Sequence, residues 1–365
     1  MTTIRVALDG RLLQKQPLGG VGRYLAGTIP HLAERAEVHV VLDARAPRPW
    51  PGLDGAVEWV PLSAPRAVRG LGWLELAVTP WLRRFGGVFH GAFNMLPLTF
   101  GGPGVLTLHD LAPQLHADDF TPLKRAAWRL YMRGSVARAA AITTVSNFAR
   151  RQIVDYYNLD PDHVRVAPDA LDPLFAPGRA AHGAALARAL GLPSPYIVAI
   201  GGAPRRGLGV AIDAWRGARM ELGTDLGLAV LGESCLAPEP GLVPLGSLED
   251  KDWAALLAGA QALCYPTRYE GFGLPALEAL ASGTPVVCGR VASLPEVLGD
   301  AACWSDSLSP DALAGVLVRL LGDSDWHRER REAGLARARA VTSWRESADV
   351  LLEAYERAHC GAGLR

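Results

Sequence analysis

Short apolar runs alternate with amphipathic helical stretches along almost the whole chain, and the alternation begins twice. Residues 4–8 read as a buried first strand. Gly19 and Gly20 then open a helix with Val21, Tyr24, Leu25, Thr28, Ile29 and Leu32 on one apolar face. Pro30 lies inside that helix and is expected to kink it. Residues 38–42, 105–108, 142–145 and 164–166 read as further strands. Thr121 and Pro122 read as a helix start with proline at the first helical position. The composition shifts near Pro168, where Pro173, Pro177, Gly178, Pro193 and Pro195 punctuate a connecting stretch. Strands at 196–200, 228–231, 262–265 and 285–287 then alternate with helices beginning near Leu208, Asp250, Pro275 and Ser309. Such alternation builds parallel βαβ units. The expected fold class is therefore α/β, with two Rossmann-like domains facing across a cleft. The expected boundaries are 1–172 for the first domain, 173–194 for a linker, 195–342 for the second domain and 343–365 for a returning amphipathic helix.

A length of 365 residues suits two ordinary domains, and 49% hydrophobic against 20% charged residues suits a folded globular chain. Lys plus Arg number 37 and so do Asp plus Glu, so no overall field gathers nucleic acid. Five cysteines, none in a CxxC pair, argue against a disulfide framework and for a reducing cytoplasm. The first residues, Met1 and Thr2 onward, lack the pattern of a signal peptide, and no run is long enough to span a bilayer.

The chemistry concentrates in residues 265–279. A strand ends at Tyr265, a glycine-rich loop carries Glu270, and Pro275 starts a helix with Glu278 in its first turn. Backbone N–H groups and the positive helix end suit a diphosphate. Gly271 and Gly273, with Phe272 and Leu274 beside them, let the backbone approach a ligand closely. The two carboxylates can accept hydrogen bonds from sugar and ribose hydroxyls. Arg205 and Arg206 fall between a strand and a helix start, where paired guanidinium groups favour a pyrophosphate.

Residues 270–278, E-G-F-G-x-P-x-x-E with seven residues between the two glutamates, resemble the EX7E signature of family 4 glycosyltransferases, which have the GT-B fold. The resemblance covers nearly the whole chain. It implies that Glu270 contacts the transferred sugar and Glu278 the ribose. Pro204, Arg205, Arg206 and Gly207 look like the family's P-R-K-N element, whose two cations bind the donor diphosphate; Arg206 replaces the usual lysine. Residues 18–24 are similar to its G-G-x-x-R-Y segment, which places Gly19 and Gly20 toward the donor phosphates and the acceptor. His109 would then reach the donor sugar or reacting centre, Ser146 and Asn147 would line the acceptor side, and Leu248 would lie in the loop that contacts the nucleobase.

The activity so implied is retaining transfer of a hexose from a nucleotide-diphosphate sugar to an acceptor hydroxyl. GDP-mannose and UDP-glucose are both open as donors, and the acceptor is a carbohydrate or lipid-linked glycan. No cofactor or metal is expected. Asp323 and Asp325 resemble a DxD metal motif but fall between two helices, where a nucleotide-bound metal does not sit. Trp73, Leu74, Leu76, Trp81 and Leu82, with Arg69, Arg83 and Arg84, read either as a membrane-facing patch or as helix packing against the first sheet. The membrane-facing reading would put the protein at the inner face of the membrane. Three rivals remain: a nucleotide-sugar epimerase, a non-catalytic sugar-nucleotide binder, and a dehydrogenase. The last is disfavoured because Leu25 stands where a dinucleotide fingerprint needs its third glycine.

Overall fold

The computed structural model describes residues 3–15, 17–46, 51–68, 70–116, 121–233 and 235–362, without the side chains at 51, 124 and 362. Met1, Thr2 and Arg69 therefore lie outside the described residues. The chain divides into two compact units, Met1–Ala170 with Thr342–Arg365, and Leu171–Val341.

The first unit is built on seven parallel strands: β1 Ile4–Asp9, β2 Ala36–Asp43, β3 Glu58–Leu62, β4 Val88–Gly91, β5 Gly104–Thr107, β6 Ala141–Thr144 and β7 Val164–Val166. Their order is β3-β2-β1-β4-β5-β6-β7. The central strands are buried on both faces, as expected of parallel strands covered by helices. Its helices are α1 Gly20–Ala33, α2 Leu71–Trp73, α3 Thr79–Phe85, α4 Ala112–Leu115, α5 Pro122–Arg138 and α6 Asn147–Tyr157. Helix α1 runs on past Pro30 to Ala33.

The segment from 71 to 85, with a π-helical stretch at Leu74–Val78, belongs to the core of this unit. Trp73, Leu74 and Leu82 are buried, and Trp73 Nε1 donates to Leu62 O at 3.1 Å. Glu75 accepts from the backbone of Leu98 at 2.6 Å and of Thr99 at 3.1 Å, and from the Tyr131 hydroxyl. Of the apolar residues in the patch, Leu76 is exposed. The packing reading thus accounts for most of this segment, because the core beneath it takes Trp73, Leu74 and Leu82 and part of Trp81.

The second unit has six parallel strands: β8 Tyr196–Ile200, β9 Gly227–Leu231, β10 Leu242–Gly246, β11 Leu263–Tyr265, β12 Val286–Gly289 and β13 Cys303–Ser305. Their order is β10-β9-β8-β11-β12-β13. Helices α7 Ala180–Ala189, α8 Leu208–Leu222, α9 Asp250–Gly259, α10 Leu274–Ala281, α11 Leu294–Leu298, α12 Pro310–Gly322 and α13 Ser324–Arg339 cover it.

Residues 173–194, read from sequence as a connecting stretch, lie within this unit and contain α7. The prolines and glycines there bound a helix rather than fill a loop. Gly183 lets α7 approach α9 so closely that a Cβ would sit 1.9 Å from Ala255 O. Asp323 caps α13, its Oδ1 accepting from Asp325 N at 3.1 Å and Trp326 N at 2.9 Å.

The final helix, α14 Trp344–Ala362, returns to the first unit. The Trp344 ring packs over Gly27, where a Cβ would come within 2.3 Å of it. The buried Tyr355 hydroxyl meets His90 Nδ1 at 2.8 Å. No helix among the described residues is long and apolar enough to cross a membrane.

Candidate functional site

In an open parallel sheet the ligand crevice opens where strand order reverses, at the carboxyl ends of the strands. In the second unit that point lies between β8 and β11. Arg205 and Arg206 follow β8 in a single 3-10 turn, and Glu270 follows β11. Two backbone links stitch the two loops together. Arg268 N donates to Arg205 O at 2.8 Å, and Gly207 at φ +68° lies against Pro266 O.

The structure brings Arg206, Tyr265 and Glu270 together. Arg206 Nη1 donates to Gly201 O at 2.8 Å, and its buried Nε, without a hydrogen-bond partner, stands 4.0 Å from Glu270 Oε1. The Tyr265 hydroxyl donates to that same oxygen at 2.5 Å. Burial, and then the Glu270 charge, push the Tyr265 pKa well above 10, so the phenol stays a donor. Ser293 Oγ lies 2.9 Å from Glu270 O and 2.8 Å from Phe272 O, fixing the loop backbone. Gly273 caps α10 at φ +98°, a conformation that favours glycine, and leaves the helix start behind the loop.

Glu278 falls in the second turn of α10 rather than the first, because the helix begins at Leu274. It is 1% exposed, and its Oε2 accepts from Trp253 Nε1 of α9 at 3.2 Å. Leu248 is half-buried in the loop before α9. A groove of about 560 Å³ runs along the β8 loop, lined among others by Gly202, Pro204, Gly207, Glu233, Pro266 and Arg268. Glu233 Oε1 accepts from Gly202 N at 2.9 Å.

The first unit carries the remaining candidates. Gly19 caps α1 and Gly20 is its first residue; both are exposed, and among the described residues nothing lies within 4 Å of a Cβ built on either. Packing therefore does not demand glycine there. It does at Gly22, where Leu18 stands 3.1 Å away. His109 follows β5 and is 9% exposed. Its Nε2 lies 3.0 Å from Ala92 O, and a carbonyl only accepts, so Nε2 carries the proton and Nδ1 is left as an acceptor. Burial lowers its pKa to about 4, against a raising contribution from Ala92. Tyr24 meets it edge-on at 5.1 Å. Ser146 Oγ caps α6, accepting from Ala149 N at 3.0 Å, and the Ser146 residue is buried.

Sequence reasoning missed Tyr265 and Trp253 as partners of the carboxylates, and Ser293 as the anchor of the Glu270 loop backbone. The one available signal was a phenol on the last residue of the strand that leads into the Glu270 loop.

The description Glycosyltransferase Family 4 matches residues 18–173, and Glycosyl transferases group 1 matches residues 194–323. The O-antigen chain mannosyltransferase B of Escherichia coli is 30% identical over 287 residues, covering 74% of this chain and 74% of that protein. An MMP alpha-(1->4)-mannosyltransferase of Mycolicibacterium hassiacum is 33% identical over 243 residues, covering 62% of this chain and 56% of that protein. The structure of Anabaena HepE in complex with UDP and glucose superposes with a TM-score of 0.74 at 16% identity, covering 96% of this chain and 99% of that one. That likeness establishes the fold as GT-B.

Proposed function

Because the chain belongs to glycosyltransferase family 4, of the group 1 glycosyltransferases, we propose that it moves a hexose from a nucleotide-diphosphate sugar to an acceptor hydroxyl with retention of configuration. One observation carries the reading: a cationic turn and a held carboxylate converge where the second sheet reverses its strand order.

The donor diphosphate lies against Arg205, Arg206 and the start of α10, which stabilise the negative charge as the bond to the anomeric carbon breaks. Glu270 holds the hydroxyls of the sugar while the anomeric carbon gains oxocarbenium character. The acceptor oxygen attacks from the face the leaving group vacates, and the departing phosphate oxygen takes its proton. Glu278 holds the ribose. The Glu278–Trp253 hydrogen bond supports this by fixing the carboxylate before the nucleotide arrives.

We assign the donor to the GDP-mannose type, supported by the two mannosyltransferase relatives; the UDP and glucose held by HepE keep UDP-glucose as the comparison arm of the test. The acceptor is a growing glycan, as the O-antigen relative's name supports.

The test incubates the protein with GDP-mannose or UDP-glucose and measures diphosphate release, alone and with mannooligosaccharides. Release from GDP-mannose, rising with acceptor, is expected. Glu270→Ala should lower turnover by about a hundredfold or more, since the contact acts on the reacting sugar. Turnover within a few-fold of the parent would remove Glu270 from its role.

A further inference from the structure

The Glu270 carboxylate is held on one side only. Oε1 takes the Tyr265 hydroxyl at 2.5 Å and faces Arg206 Nε at 4.0 Å, while Oε2 has no partner among the described residues. The side chain is 13% exposed, so the unengaged oxygen sits in a nearly closed setting. Tyr265 ends β11 and is fully buried, anchored in the sheet rather than in the loop it serves.

We propose that Tyr265 is a positioning residue for the transfer: its hydroxyl pins one oxygen of Glu270 so that the other is presented, already oriented, to the hydroxyls of the donor sugar. This rests on the reading of Glu270 as the carboxylate that holds the sugar.

The physical case is one of prior ordering. A glutamate on a glycine-rich loop has three side-chain torsions to fix when a sugar binds, and each ordered side chain subtracts from binding. Here Ser293 fixes the loop backbone and Tyr265 fixes the carboxylate before any ligand arrives. Phenylalanine would fill the same space in the core, so packing does not account for the hydroxyl. A contrasting use of the same group occurs at the start of the neighbouring strand β8: the Tyr196 hydroxyl donates to Leu256 O at 2.7 Å and only ties strand to helix. Burial also keeps the Tyr265 phenol protonated, so the donor persists across the working pH range.

The experiment compares the full-length parent, Tyr265→Phe, Glu270→Ala and the double variant. GDP and UDP binding is read by calorimetry, and diphosphate release is read from GDP-mannose or UDP-glucose, whichever the parent turns over. Tyr265→Phe should bind the nucleoside diphosphate within about twofold of the parent yet lose about tenfold or more in kcat, as for a lost hydrogen bond to a charged group. On the Glu270→Ala background it should cost less than about twofold, because the hydroxyl acts through that carboxylate. An unchanged kcat overturns the proposal. So does an equal loss on both backgrounds, or a fall in diphosphate binding that matches the fall in kcat. A parent that neither binds nor turns over any donor overturns the function and this proposal together, and it is told apart because it appears before any substitution.

Discussion

His90 and His109, both in the first unit, are held neutral by burial. His90 lies in a chain of hydrogen bonds, with the Tyr355 hydroxyl on Nδ1 at 2.8 Å and Thr107 Oγ1 on Nε2 at 2.7 Å. Burial, then the charge His109 would carry, lowers the His90 pKa to about 3; burial lowers that of His109 to about 4. In the unfolded chain both titrate near 6.5. The unfolded state therefore takes up protons first as pH falls. Stability is whole above about pH 6.5, drains as pH falls to about 4 for His109 and about 3 for His90, and levels off below those values. Urea unfolding should show about 2–4 kcal/mol less stability at pH 5 than at pH 7, with one to two protons taken up on unfolding near pH 5.5. Equal stability at both values would mean that these rings are not buried as described. The placement of Glu270 and the arginine pair at strand ends was legible in the sequence, because each follows a short apolar run and is flanked by glycine and proline. The burial of Glu278 was not legible, because it depends on Trp253 in a different helix, 25 residues away.

At the level of elements, the turn carrying the arginines depends on one glycine. Gly207 at φ +68° ends that turn and precedes α8, and a Cβ there would sit 2.6 Å from Pro266 O. Gly207→Ala should therefore cost about 1–3 kcal/mol in urea unfolding, from the left-handed backbone and the collision together. It should also weaken nucleoside diphosphate binding by shifting Arg206. Unchanged stability would contradict the close stacking of the two loops. Residues 164–166 and 196–200 were read at their full extents because Val164 and Val166 alternate with Arg165 and 196–200 is a compact apolar run with clear flanks. Strands β3, β4, β10 and β13 were not read. Pro61 and Pro244 interrupt β3 and β10, which proline permits because both lie at sheet edges. His90 and Gly91 dilute β4, and β13 has three residues. Helix α7 hid behind its own prolines and glycines, which are equally the marks of a loop.

On the scale of the whole chain, the second unit is an insertion into the first, left at Ala170 and rejoined at Thr342. The doubled strand–helix alternation made two units legible, and the amphipathic pattern after Trp344 made the returning helix legible. Which side of the crossing residues 173–194 join was not, because docking on α9 is a tertiary contact with no local pattern. Arg205, Arg206, Glu270 and Glu278 all lie within the inserted unit. Docking of a nucleoside diphosphate on the arginine turn is what the proposed transfer depends on. Calorimetric titration of the full chain with GDP and UDP, beside Arg205→Ala and Arg206→Ala, tests it directly. Saturable binding by the parent, weakened about tenfold or more in each variant, is the expected result for lost charge-assisted contacts. Parent-like affinity in both variants, or no binding of either diphosphate by the parent, would contradict it.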